Sequence, residues 1–478
     1  MTIKEKFLNG ILWSSVSQVS IMIIEFVIGL MLARLLSPSE FGLIAMITVF
    51  ISIAQIFINS GFSQALVRKQ DCTEIDFSTV FVFNLVIGGF LFLTLFFLAP
   101  VVSDFYNKLE LTNLLRVLAL SLIISAFTII QRTKIERALD FKALSFLSFT
   151  SSIISGVLAF VMAYYGCGVW SLVAKVLCRE IVFSSLLWFL SKWKISFIFS
   201  KDSFKELFGF GSKLVVSGII GTIMNNLYYI IIGKYFNSAT LGYFNRAELF
   251  YKMPSENITG IVTSVAYPTM AKFQDDTVKF KEAFKKILTT SSFVVTLMMV
   301  GLIVVAKPMI LTFIGEKWLP SVPFLQWLSL VGILYPLNTI NVNILNVLGR
   351  SDLYMKLQFI MQLLIIPSAL MGAWLGIEYL VYGMILNAII GFLLFSKFAG
   401  NLTNYNTIEQ LIDLIPGFLI AILMGVGVYI VSYFMNFSWC TLLIFQVFVG
   451  ALFTVILCEL FKNKNYLEIK AILKNLVE

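Results

Sequence analysis

The sequence predicts an all-α integral membrane protein of about fourteen transmembrane helices, with two six-helix lobes and two further C-terminal helices. Three observations support this. Of 478 residues, 59% are hydrophobic and only 13% are charged, whereas a soluble domain carries about 25% charged residues. Apolar runs of about 20 residues, the length that crosses hydrocarbon, recur from end to end. Basic residues collect in alternate connections between those runs. A chain with a mean hydropathy of +0.93 cannot cover itself with polar surface, so lipid is its main solvent.

In order, the expected spans are 10–33, 41–65, 77–99, 114–131, 143–165, 169–190, 207–232, 240–268, 286–306, 322–346, 353–374, 377–399, 411–433 and 439–460. The first follows Lys4 and Lys6 as a signal peptide would. It is too long for a cleaved apolar region and no small-residue cleavage site follows, so it is expected to remain as a span. It also carries Ser14, Ser15, Ser17, Gln18 and Glu25. The sixth holds Lys175, Arg179 and Glu180; the seventh Lys213, Asn225 and Asn226; the eighth Arg246, Glu248, Lys252, Pro254 and Glu256. The remaining spans are recognised by apolar length alone. Segments 280–287 and 466–477 are amphipathic and are expected to lie on the inner surface.

With an even number of spans, both termini share one side. Twenty-four Lys and Arg lie on that side, six on the other and five inside spans. The positive-inside rule therefore places both termini in the cytoplasm of a multi-pass protein. The net charge of +9 reflects this topology and attraction to anionic membrane lipids, and no nucleic-acid partner is expected.

Several chemistries are excluded. There is no histidine, so His-based metal sites, Ser-His-Asp triads and histidine proton relays cannot form. The cysteines Cys72, Cys167, Cys178, Cys440 and Cys458 are scattered, with no Cys-x-x-Cys pair. No Gly-x-x-x-x-Gly-Lys-Ser/Thr loop occurs. No catalytic residue, metal site or cofactor is expected.

A repeat spaces the chain. Ala33-Arg34-Leu35-Leu36-Ser37-Pro38-Ser39-Glu40-Phe41-Gly42 is echoed by Gly233-Lys234-Tyr235-Phe236-Asn237-Ser238-Ala239-Thr240-Leu241-Gly242, and Glu25 stands in register with Asn225. The offset covers six spans, so both copies cross in one orientation. The lobes are then 1–200 and 201–400, related by a pseudo-two-fold along the membrane normal, with 401–478 holding two spans and a cytoplasmic amphipathic tail. Chance likeness of two short turns is the plainer alternative.

The charges inside spans are the candidate site. Each costs about 2.5–3.5 kcal/mol or more at the bilayer centre, so it faces protein or water. Lys175 and Arg179 share one helix face, with only Glu180 as an acid on that helix, and so leave an excess of positive charge. Glu248, Lys252 and Glu256 form an i, i+4, i+8 ladder that could pair locally as a structural network. Pro254 is expected to kink its span and act as a hinge. Lys213 could equally snorkel to the interface, and Arg34 and Lys234 are expected as interfacial anchors. A slightly positive cavity suits an anionic substrate rich in hydroxyls, because guanidinium groups hold phosphate oxygens bidentately. Lys175, Arg179, Lys213, Arg246 and Lys252 are the candidate substrate-binding residues; Glu25, Glu248 and Glu256 are the candidates for coupling to H+ or Na+.

Leu36-Ser37-Pro38-Ser39-Glu40-Phe41-Gly42-Leu43-Ile44-Ala45-Met46 and Ser60-Gly61-Phe62-Ser63-Gln64-Ala65-Leu66 resemble the N-terminal signature of Wzx-type polysaccharide exporters. Leu241-Gly242-Tyr243-Phe244-Asn245-Arg246-Ala247-Glu248-Leu249, Met253-Pro254 and Val265-Ala266-Tyr267-Pro268 resemble the second-lobe signature of the branch with colanic-acid and teichuronic-acid exporters. The resemblance covers most of the chain and is weakest in the last two spans. It implies membership of the multidrug/oligosaccharidyl-lipid/polysaccharide flippase superfamily. It further implies alternating access, and transfer of polyprenyl-pyrophosphate-linked oligosaccharide repeat units from the inner to the outer leaflet of the bacterial inner membrane. Such units serve O-antigen, capsule or exopolysaccharide synthesis, and a polysaccharide polymerase complex is a conceivable partner. The match carries Arg246 and Pro254 as motif positions and leaves Lys175 and Arg179 to the physical reading. Rival expectations are a cation-coupled multidrug exporter, which the basic excess opposes; a membrane polymerase or glycosyltransferase, for which the short outer turns and the lone Asp275-Asp276 pair offer little; and a scaffold, which explains neither the buried charges nor the repeat.

Overall fold

The computed structural model describes residues 3–59, 62–191, 193, 195–274, 276–435 and 437–477. Among them every regular element is helical. Twelve segments are long and apolar enough to cross a membrane. Two further helices, α8 (Trp170–Leu190) and α10 (Ser238–Ala271), have the length but carry the charges singled out above. Fourteen spans therefore remains an expectation, while an all-helical membrane protein is what is observed.

The chain divides into two compact units, Met1–Gly242 and Tyr243–Glu478, with the boundary inside α10. The first unit contains α1 (Ile3–Leu35), α2 (Pro38–Asn59), the short α3 (Phe62–Arg68), α4 (Glu74–Tyr106), α5 (Glu110–Leu118), α6 (Leu120–Arg137), α7 (Phe141–Tyr164), α8 and α9 (Lys201–Tyr235). There α7 packs on both α1 and α8, α4 on α5 and α6, and α9 along α2, α3 and α4. The second unit contains most of α10, then α11 (Thr277–Phe313), α12 (Ser321–Val347), α13 (Ser351–Leu375), α14 (Ile377–Thr403), α15 (Thr407–Tyr433), α16 (Trp439–Leu460) and α17 (Lys464–Val477). There α11 packs on α12, α15 and α16, and α14 on α12 and α13.

Most helices outrun the apolar runs that predicted them, because polar residues beyond the hydrocarbon can cap a helix. Thr73 and Asp76 form a reciprocal capping box at the start of α4. Side chains of Asp140, Ser200, Asp276 and Asn406 cap α7, α9, α11 and α15. The run expected at 114–131 is two helices, α5 and α6, meeting at Ala119, whose backbone stays in the right-handed helical region. Outward faces are apolar throughout: Phe97, Trp374 and Phe448 are 72%, 78% and 67% exposed, which is stable only against lipid.

The end of the first unit is tied down near the termini of α4 and α6. Lys134 Nζ donates to Glu74 Oε1 at 2.7 Å and Trp193 Nε1 to Glu74 Oε2 at 2.8 Å. Lys69 bridges Glu206 at 2.9 Å and Asp76 at 3.2 Å, and Glu206 together with Asp76 holds its ammonium above the usual lysine range. The Arg137 guanidinium closes the loop after α3, donating to the carbonyls of Leu66, Lys69 and Gln70.

The two repeated turns meet within this unit. Ser39 Oγ and Ser238 Oγ are 2.6 Å apart. A Cβ on Gly42 would fall 1.7 Å from the Ser238 carbonyl oxygen, and one on Gly242 would fall 1.9 Å from that of Pro38. Each glycine thus seats the backbone of the other turn, and each contact is the other shifted by the repeat offset. Lys234, expected as an interfacial anchor, donates to the Phe105 carbonyl and lies 4.7 Å from its ring centroid.

Candidate functional site

Lys175 and Arg179 are one turn apart on α8, so they project from the same face. Because α7 packs on both α1 and α8, Glu25 of α1 reaches both. Lys175 Nζ donates to Glu25 Oε2 at 2.6 Å, and Arg179 Nη1 to Glu25 Oε1 at 3.3 Å. The acid that answers these cations therefore comes chiefly from another helix, a partner that the residues of α8 alone do not reveal. The Lys175 side chain is 18% exposed and that of Arg179 41%. Lys175 is thus committed to the ion pair, while Arg179 keeps an open face. Glu180 points elsewhere: it accepts from Ser125 Oγ at 3.3 Å, and Ser125 Oγ in turn accepts from Gln55 Nε2 at 3.0 Å.

Beside this cluster lies a cavity of about 270 Å³ walled by Arg132, Arg179, Glu180, Ser148 and Ser151, with Leu144 and Phe183. Arg132 enters from α6 and is half-exposed, its Nε donating to Glu136 at 2.8 Å. Two guanidinium groups against one carboxylate make the lining net positive, a setting in which planar, fixed donors engage phosphate oxygens. The volume lies near the lower edge of the ~300–1,000 Å³ typical of small-molecule sites, so it accommodates a phosphate group rather than an oligosaccharide. Among the described residues, no group of three Cys, Asp or Glu is placed to hold a metal.

Two contributors escaped the sequence reading. Arg132 counted only as a charge in a cytoplasmic turn. The hydroxyl face of α7 was also passed over: Ser151, Ser152 and Ser155 are fully buried, and their recurrence with Ser148 at helical spacing was a usable signal.

The other predicted residues are placed as follows. Arg246 is 4% exposed in the second unit, its guanidinium 5.6 Å from the ring centroid of Trp318, which is itself fully buried. The edge of Tyr243 meets the same ring at 6.1 Å. Arg246 is therefore seated in aromatic packing. Lys252 Nζ meets Glu248 Oε1 at 2.8 Å, so the first rung of the ladder forms, and Glu256 is exposed. Through Pro254 the helix runs on unbroken. Ser255 Oγ donates to the Tyr251 carbonyl at 2.9 Å, beside the Phe250 carbonyl that the proline deprives of its helical donor. Lys213 stands in α9, but its side chain lies outside the described residues. The structure thus brings together Lys175, Arg179 and Glu25 in the first unit, and Lys252 with Glu248 in the second.

The sequence profile of a family described as polysaccharide biosynthesis protein matches residues 31–323, which include every one of these charged positions except Glu25. The chain belongs to that family. Among its relatives are the teichuronic acid biosynthesis protein TuaB of Bacillus subtilis (strain 168), 30% identical over 358 residues, covering 74% of this chain and 73% of the relative. The lipopolysaccharide biosynthesis protein WzxC of Escherichia coli (strain K12) is 25% identical over 378 residues, covering 78% and 76%. The resemblance drawn from the two signatures is therefore borne out. Among solved structures, the lipid II flippase MurJ in an inward closed conformation matches with a TM-score of 0.78 at 17% identity, covering 94% of this chain and 98% of that one. An inward-facing multidrug resistance transporter of the MATE family and MOP superfamily matches at 0.61 and 15% identity, covering 82% and 99%. These likenesses show that this family member has the fold of that superfamily.

Proposed function

We propose that this membrane protein is a transporter that flips polyprenyl-pyrophosphate-linked oligosaccharide repeat units from the inner to the outer leaflet of a bacterial inner membrane by alternating access, without covalent chemistry. The observation that carries the reading is the polar cavity of the first unit, where Arg132 and Arg179 line one volume of phosphate size. In this reading Arg179 holds the diphosphate, Arg132 assists, Lys175 fixes Glu25 and thereby the orientation of Arg179, and the polyprenyl tail stays in lipid. Both termini are cytoplasmic, α8 and α10 also cross the bilayer, and the repeat extends over lobes 1–200 and 201–400. The family relationship to TuaB and WzxC supports a polysaccharide precursor as cargo, delivered on the outer face to a polymerase. A carboxylate, Glu25, Glu248 or Glu256, exchanging a proton or binding Na+ would couple each cycle to the membrane potential, which supplies about 2.3 kcal/mol per charge at 100 mV. A multidrug exporter for cations would need an acidic cavity, and two guanidinium groups repel such cargo.

The test is complementation of a strain lacking this protein, with the sidedness of the lipid-linked repeat unit as readout. Wild type restores exposure at the outer leaflet, and Arg179→Glu leaves the unit accumulated inside at equal protein level. Normal outer-leaflet exposure with Arg179→Glu sinks the assignment.

A further inference from the structure

A second cavity lies in the second unit, with no part in the site above. It measures about 870 Å³ and is bounded by the start of α11, the first half of α15 and the corner between α16 and α17. Its rim carries Lys285, Lys286, Lys462 and Lys464 against Glu282, Asp413 and Glu468. Lys285 is held by Asp413 at 2.7 Å and Lys286 by Glu468 at 3.1 Å. Among the described residues, Lys462 and Lys464 have no carboxylate within ion-pair distance. The corner that presents them is fixed: Lys462 sits at φ 47°, the Asn463 amide donates to the Cys458 carbonyl at 3.0 Å, and Asn465 Oδ1 accepts from Thr289 of α11 at 3.1 Å.

The other wall is apolar. Leu419 and Leu423 lie on the outward stripe of α15, 54% and 46% exposed, where a membrane helix meets acyl chains. From Asp413 to Leu423 the helix rises about 15 Å, so the cationic rim and the apolar wall are stacked along the axis of α15. That is the shape of an amphiphile with an anionic head. We propose that this cavity binds an acidic phospholipid, its phosphodiester on Lys462 and Lys464 and an acyl chain along Leu419 and Leu423. Basic pockets between spans recognise such headgroups because a juxtamembrane lysine gains from each anionic charge it meets. A zwitterionic lipid would bring its own ammonium to a lysine rim and gain little. The volume lies within the ~300–1,000 Å³ of small-molecule sites.

Native mass spectrometry of the purified full-length protein tests this with phosphatidylglycerol, phosphatidylcholine, polyprenyl phosphate and inorganic phosphate as separate probes. Phosphatidylglycerol is expected to bind at about thirtyfold lower concentration than phosphatidylcholine, the preference that two lysines give. In K462Q/K464Q that preference should drop to about threefold or less. A photoreactive phosphatidylglycerol on the wild-type chain, which needs no variant, should label peptides 412–423 and 461–468. Equal affinity for the two phospholipids, an unchanged preference in the variant, labelling elsewhere, or binding of polyprenyl phosphate or inorganic phosphate alone would overturn the proposal.

Discussion

Glu25→Gln is the perturbation that most directly tests the geometry of the first unit. It leaves Lys175 and Arg179 facing each other without the carboxylate that both now share at 2.6 and 3.3 Å. Breaking a fully buried pair costs about 3–5 kcal/mol, and an exposed pair is worth about 0–1 kcal/mol. With Glu25 26% and Lys175 18% exposed, the cost falls between these limits, at about 2–3 kcal/mol. If the first unit melts like a domain of its size, about 2–4 °C per kcal/mol, the midpoint in detergent drops by about 4–12 °C. Lys175→Met should cost less, because Arg179 still answers Glu25. The double variant should be more stable than Glu25→Gln alone, with a coupling of about 1–2 kcal/mol. Glu136→Gln supplies the control, since Arg132 and Glu136 are 53% and 30% exposed and their pair is worth at most about 1 kcal/mol. A Glu25→Gln shift no larger than that of the control, or strictly additive losses in the double variant, would refute the shared-carboxylate reading.

Arg179→Lys should keep part of the transport signal and Arg179→Gln almost none, because a point charge replaces a planar fork in the first and nothing does in the second; midpoints should move little, since the side chain is 41% exposed. Gly42→Ala and Gly242→Ala should each lose about 1–3 kcal/mol by overpacking, because the new methyl meets a carbonyl oxygen at 1.7 or 1.9 Å; Gly89→Ala, inside α4 and meeting nothing within 4 Å, should instead raise the thermal midpoint slightly, since alanine gains about 0.5–1 kcal/mol over glycine in a helix. Tyr405→Phe removes the hydroxyl that donates to Asp413 at 2.8 Å and should cost about 1.5–3 kcal/mol at neutral pH. Burial, and then Asp413, raise the Tyr405 phenol above its usual range. The folded state therefore keeps a proton that the unfolded chain loses near pH 10, and stability falls as pH rises beyond that point. Lys69, also raised, adds a loss of the same sign above its unfolded pKa of about 10.4. Tyr405→Phe should flatten the alkaline limb of a midpoint-against-pH curve, and an unchanged slope would show that this phenol does not control it.

Twelve of the expected span positions were legible because hydrocarbon thickness sets a length that apolar composition records directly. Helix ends were not, because Thr73, Asp140 and Asp276 lie outside the apolar runs and act through capping. The site was half legible. A charge in an apolar helix announces itself, so Lys175 and Arg179 stood out. Their partner Glu25 is about 150 residues away in the chain, and only packing of α7 on both α1 and α8 brings it close. Arg246 shows the converse, since its place in a motif said nothing of the aromatic seat on Trp318. The serine face of α7 was recoverable by applying helical periodicity to hydroxyls instead of apolar residues.

The two repeated turns match where sterics require it. Gly42 and Gly242 each admit a carbonyl that any side chain would displace, so the two turns constrain one another. The charged helices obey no such rule. Helix α8 carries Lys175, Arg179 and Glu180, whereas α14, its expected counterpart in the repeat, has only Glu378 in its first turn and Lys397 near its end. Helix α2, which follows the first turn, has Glu40 alone, yet α10, which follows the second, carries Arg246, Glu248, Lys252 and Glu256. Glu25 itself is matched by the uncharged Asn225. A charge in a span costs several kcal/mol unless it is answered, and two sets of these charges are answered by ion pairs: Glu25 with Lys175 and Arg179, Glu248 with Lys252. The two turns therefore share one reciprocal backbone contact, while the ion pairs link α1 to α8 and lie within α10.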